Sequence, residues 1–164
     1  MRYALPFDDV ETDAIADNLR TLALLTCADT AGSRVQLTGF TIGPAGDAPS
    51  DATLLIELKR IGSVTAGSAG TAASSFTASA MPKSDSEAPD SPATGGVDYS
   101  AAEPTAYEAS PLFVVGVNTR SWFSHAWGVG EGPVVGRDQA IGLLVAPRAA
   151  AAQRVSGVLE FEAF

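Results

Sequence analysis

Short runs of apolar residues, each cut off by glycine or proline, dominate this sequence. TLALLTC, RVQLTGFTIG, ATLLIELKRIG, AYEASPLFVVGVN, SWFSHAW, QAIGLLVAP and VSGVLEFEAF each read as a strand bounded by turn residues. They are rich in β-branched and aromatic residues, and most alternate apolar with polar positions, as a half-buried strand does. Between them GPAGDAPSD and GVGEGPVVG supply turn chemistry. With an opening strand the pattern predicts eight or nine short strands. That implies an all-β fold, an antiparallel β-sandwich or jelly-roll-like arrangement.

The individual runs carry finer expectations. Residues 2–7 read as an edge strand. Residues 9–25 admit a helix on the spacing of Ile15, Leu19, Leu22 and Leu25, but strands over 19–27 and 34–42 fit better. In the second of these, simple alternation sends Val35, Leu37, Gly39 and Thr41 to one face and Gln36, Thr38, Phe40 and Ile42 to the other. In ATLLIELKRIG, Leu54, Ile56, Leu58 and Arg60 share one face, and Leu55, Glu57, Lys59 and Ile61 the opposite one.

One stretch breaks the pattern. Residues 62–105 are rich in Ala, Ser, Gly and Pro with scattered acids. A structureless loop of about forty residues is uncommon inside a compact domain. The flanks are small for two independent domains, so residues 1–164 are expected to form one sandwich domain with 62–105 as an extended arm or loop. Pure disorder should lack large apolar residues. This stretch and its border carry Phe76, Met81, Val97, Tyr99 and Tyr107, spaced to dock one at a time. An arm of this length reaches roughly 100 Å, enough to cross a neighbouring subunit. Phe76, Met81, Tyr99 and Tyr107 are therefore the candidate interface residues.

Charge narrows the partners. The 164-residue chain has 10 Lys and Arg against 19 Asp and Glu, a net charge of −9. Nucleic acid demands clustered cations, and anionic membrane surfaces demand the same. Neither is an expected partner. Charged residues make up 18% of the chain, below the ~25% usual for globular proteins, which fits a surface covered in an assembly. A single cysteine, Cys27, rules out an internal disulfide framework and fits synthesis in a reducing cytoplasm. The opening MRYALPFDDVETD lacks the apolar core of a signal peptide.

Catalytic chemistry finds little purchase. His125 is the only histidine and lies in SWFSHAW between two tryptophans. There is no G-x-S-x-G elbow, no P-loop and no dinucleotide fingerprint. One Cys and one His do not make a usual zinc site. Asp9, Glu11 and Asp13 alternate as calcium ligands do, but the loop glycine and distal Glu are absent, so a solvated acidic loop is the better reading. No enzyme, cofactor or metal site is expected. The remaining signal is aromatic: Trp122, Phe123 and Trp127 form either a patch for a glycan or partner, or a cluster whose alternate members pack in the core.

RYALPF at residues 2–7, DATLLIELKR at 51–60, AIGLLVAP at 140–147 and VSGVLEFE at 155–162, around a Gly/Pro-rich centre, resemble small all-β structural proteins encoded by tailed bacteriophages and prophages. The resemblance implies a non-enzymatic virion component. A capsid decoration or cement protein is expected, located on the head surface, forming a homo-oligomer (a trimer) and binding the major capsid protein. The alternative is a head- or tail-fibre module binding a host glycan or receptor through Trp122, Phe123 and Trp127.

Overall fold

The computed structural model describes residues 2–27, 34–46, 51–63, 70–72, 74–76, 93–99 and 102–164. Among them are eleven strands: β1 Arg2–Glu11, β2 Arg20–Cys27, β3 Val35–Pro44, β4 Thr53–Ile61, β5 Ser74–Phe76, β6 Ala93–Val97, β7 Phe113–Asn118, β8 Phe123–Ala126, β9 Val134–Val135, β10 Ala140–Pro147 and β11 Arg154–Ala163. All pairings are antiparallel. A five-stranded sheet runs β1-β11-β3-β8, with β9 also on β3, and a six-stranded sheet runs β5-β6-β2-β10-β4-β7. The fold is all-β and sandwich-like, as the turn-punctuated alternation predicts. The helix over residues 9–25 does not form, because Leu22, Ala23 and Leu25 are drawn into the sheet core.

One core fills the space between the sheets. Leu5, Phe7, Leu37, Phe40, Leu159 and Phe161 meet Ile56, Leu58, Ile141, Leu143 and Val145 there, all nearly inaccessible to solvent. Burying a side chain of this size contributes about 1.5–3 kcal/mol. The opening strand is an edge, paired only with β11. β4 places Leu54, Ile56 and Leu58 inward as alternation predicts.

β3 departs from simple alternation. Its register against β11 shifts between Glu160 and Phe161, so that Glu160 faces Gly39 while Phe161 faces Leu37. Thr38 is the extra residue, a β-bulge. The bulge reverses the phase, and Val35, Leu37, Phe40 and Ile42 all reach the core. The expected split of Val35 and Leu37 from Phe40 and Ile42 is thus corrected.

β10 explains an unusual run. All eight of its residues, AIGLLVAP, are buried. It lies in mid-sheet between β2 and β4, and its second face is covered as well. A strand buried on both faces reads as continuously apolar.

Candidate functional site

The cover over β10 comes from the stretch expected to be an arm. β5 and β6 pair with each other, Phe76 opposite Gly95, and β6 extends the six-stranded sheet beside β2. The chain then folds back over the outer face of that sheet. Asp98 and Ala106 both adopt left-handed backbone, with φ of 57° and 65°. Each immediately precedes a tyrosine. Tyr99 and Tyr107 turn inward onto a second apolar cluster of Leu24, Ile61 and Ala140, with Ala72 beside it.

Glycines make room for both rings. A Cβ on Gly96 would stand 2.2 Å from the Tyr99 hydroxyl oxygen, and one on Gly142 the same distance from that of Tyr107. The Tyr107 and Thr21 hydroxyls share a hydrogen bond of 3.0 Å. Burial pushes the Tyr99 hydroxyl up to about 12 and the Tyr107 hydroxyl higher still. Between them, Glu103 accepts the Thr21 N–H with both carboxylate oxygens, at 3.0 and 3.1 Å. Burial raises the Glu103 carboxyl despite that bond.

The candidate interface residues therefore separate. Tyr99 and Tyr107 are occupied by the chain's own sheet, which corrects their assignment to a neighbouring subunit. Phe76 has its backbone in β5. Met81 lies outside the described residues.

Beside this strap is an open polar cleft of about 430 Å³, lined by Glu11, Asp13, Asn18, Arg20, Tyr99 and Glu103. Its charges are already used. Arg20 pairs with Asp98 at 2.7 Å and donates to the Glu11 carbonyl. Asp13 accepts the Ile15 N–H and the Asn18 amide, which hold its carboxyl below the usual range. Among the described residues, no group of three His, Cys, Asp or Glu side chains could hold a metal ion. The calcium-like alternation at residues 9–13 resolves into ion pairs, Asp9 and Glu11 both reaching Arg154.

Among the described residues, protection is incomplete on the side where the two sheets end in β7 and β8. Inward positions that would be sealed elsewhere are only half-buried here: Phe113, Val115 and Val117 from β7, Phe123 and His125 from β8, and Trp127 just after it. Phe40 anchors the cluster, its ring 5.7–6.1 Å from those of Phe113, Phe123, His125 and Trp127. His125 lies 4.5 Å from Phe113 and 4.7 Å from Trp127. It is an aromatic neighbour in a packed cluster.

Around this seam large apolar side chains face solvent. Leu112 and Val114 are 40% and 49% exposed, and Val129, in the segment following β8, and Val134 of β9 are 99% and 40% exposed. The edge strand β7, FVVGVN, contains no charge and no proline. Natural sheet edges are usually guarded by one or the other. The sequence marks AYEASPLFVVGVN as strand, but which strands end the sheets is a topological fact.

The aromatic triplet also separates. Phe123 and Trp127 pack inward against the core. Trp122 points the other way and is 61% exposed. Of the two readings of the trio, alternate members packing inward is the one that holds for Phe123 and Trp127, and a single exposed aromatic remains instead of a three-residue patch.

No protein-family model matches this chain, and no curated protein matches it.

Proposed function

We propose that this chain is a non-enzymatic structural component of a tailed-phage virion, a head decoration or cement protein acting through extended surface contact. The uncharged β7 edge, with the half-open aromatic seam behind it, carries the reading. A strand edge offers unpaired N–H and C=O groups, and Leu112 and Val114 add apolar area around them. A free monomer gains nothing from leaving such an edge bare, whereas a protein that works in an assembly has it covered. Contact with a second copy, as a trimer, and with the major capsid protein would provide that cover. The net charge of −9 is compatible with a position outside the shell, away from packaged nucleic acid. The resemblance of residues 2–7, 51–60, 140–147 and 155–162 to small phage structural proteins supports the same role.

Light scattering on a sizing column, followed by titration onto undecorated phage heads, tests the proposal. The expected result is a trimer that raises the heat resistance of the heads. Val114→Lys, which guards the edge without entering the core, should abolish head binding at an unchanged melting temperature. A monomer that leaves head stability unaltered would overturn the reading.

A further inference from the structure

We propose that the outer face of the five-stranded sheet around Trp122 is a binding site for a neutral carbohydrate. Trp122 extends β8 outward and lies across Gly43 of β3. A Cβ on Gly43 would stand 2.2, 2.5 and 2.6 Å from Trp122 Cδ2, Cε3 and Cε2. These are atoms of the fused ring system, so the indole rests on the glycine backbone. With 61% of the residue exposed, the opposite indole face is presented to solvent. The side chain is therefore both held and open. A held indole loses little conformational entropy when a ligand stacks on it.

The floor beside the ring is low and polar. Ser124 pairs with Thr41, and their hydroxyls are hydrogen-bonded across the outer face. Gly43 pairs with Ser156 on β11. The Ser156 hydroxyl donates to the Asp8 carboxylate and accepts the Asp9 N–H. An aromatic plate thus stands one to two strand spacings, about 5–10 Å, from a row of hydroxyl and carboxylate acceptors. That span accommodates one or two sugar rings.

Ligand chemistry follows from these groups. The face of an indole is negative and attracts the weakly positive C–H face of a pyranose, while hydroxyls and carboxylates take the sugar's O–H donors. A large apolar ligand would find too little apolar floor. An anionic ligand would meet Asp8 and a chain of net charge −9. A neutral glycan meets neither obstacle. This site is separate from the β7 edge, so it stands or falls independently of the assembly role.

An array of neutral and sialylated glycans, with titration of maltotetraose, cellotetraose and chitotetraose followed by tryptophan fluorescence, tests it. The wild-type chain should bind at least one neutral glycan and perturb the emission. Trp122→Ala should weaken binding by about tenfold or more. Gly43→Ala should do the same by displacing the ring, while leaving the indole in the chain. Val129→Ser, in the loop after β8, should bind as wild type does. No neutral glycan bound by the folded wild-type chain, a preference for sialylated glycans, or binding that survives Trp122→Ala would each overturn the proposal.

Discussion

The hydroxyl end of Tyr107 sits over Gly142, in β10, a strand buried along its whole length. A methyl group at residue 142 has no space without moving the ring, and moving the ring uncovers Ile61 and Ala140. Gly142→Ala should therefore destabilise the fold by about 1–3 kcal/mol. Tyr107→Phe, which removes only the hydroxyl bonded to Thr21, should cost about 1 kcal/mol. Urea denaturation followed by circular dichroism checks both. A Gly142→Ala variant as stable as the wild type would mean that the ring does not depend on the glycine for its seat.

The left-handed backbone at Ala106 leads to an unusual expectation. An L-residue with a Cβ is strained there by about 1–2 kcal/mol. Replacing alanine by glycine normally destabilises. Ala106→Gly should instead be neutral or stabilise by up to about 1 kcal/mol, because the relieved strain offsets the added freedom of the unfolded chain. A melting temperature lowered by several degrees would contradict the strained geometry.

Glu103 gives the strap a pH dependence. Its folded-state carboxyl titrates above the ordinary 4.5, chiefly because it is buried. The folded chain therefore holds this proton more tightly than the unfolded chain does. Its contribution to stability is greatest below 4.5 and falls as pH rises through the raised folded value. Asp13 has the opposite sign: its lowered carboxyl contributes stability that is lost on acidification. Glu103→Gln keeps an acceptor for the Thr21 N–H and removes the charge. The variant should gain stability relative to wild type at pH 7, and that gain should shrink as pH is lowered through the folded value toward 4.5. Urea midpoints of the two proteins across this range make the comparison. A difference that does not change with pH would show that the carboxyl titrates normally.

The bulge at Thr38 predicts an asymmetry between two deletions. Removing Thr38 leaves Val35, Leu37, Phe40 and Ile42 in regular alternation, all still inward. The deletion loses the bond from the Trp127 N–H to the Thr38 carbonyl, about 1 kcal/mol, and should fold. Removing Thr41 puts Ile42 out of phase with Phe40, because a one-residue slip turns a strand over. That chain should fail to fold cooperatively. Thermal melts distinguish the outcomes, and equal behaviour of the two deletions would refute the bulge.

Some of this architecture was legible before any coordinates. Leu54, Ile56 and Leu58 alternate, and they line the core. AIGLLVAP does not alternate, and it is buried on both faces. Local pattern suffices in such cases because a strand's side chains report which of its faces is dry. The phase of β3 was not legible, since a bulge is set by the partner strand, and VQLTGFTIGP reads smoothly through it. Nor was the destination of Tyr99 and Tyr107. Their setting in Ala, Ser, Gly and Pro suits a free arm and a strap equally well. The glycines that receive them, Gly96 and Gly142, are distant or unmarked in the sequence.

The sequence by itself determined the class of this protein: short apolar strands and turns, a net negative charge and a short supply of reactive side chains. Those properties follow from the order of residues along the chain, through backbone preference and solvent exclusion. Tertiary structure alone decided which strands end the sheets, that Tyr99 and Tyr107 cover their own sheet, and that Trp122 stands outside while Phe123 and Trp127 turn in. Each of these depends on which distant segments are neighbours, and hydrogen-bond register across a sheet is not written in either strand alone.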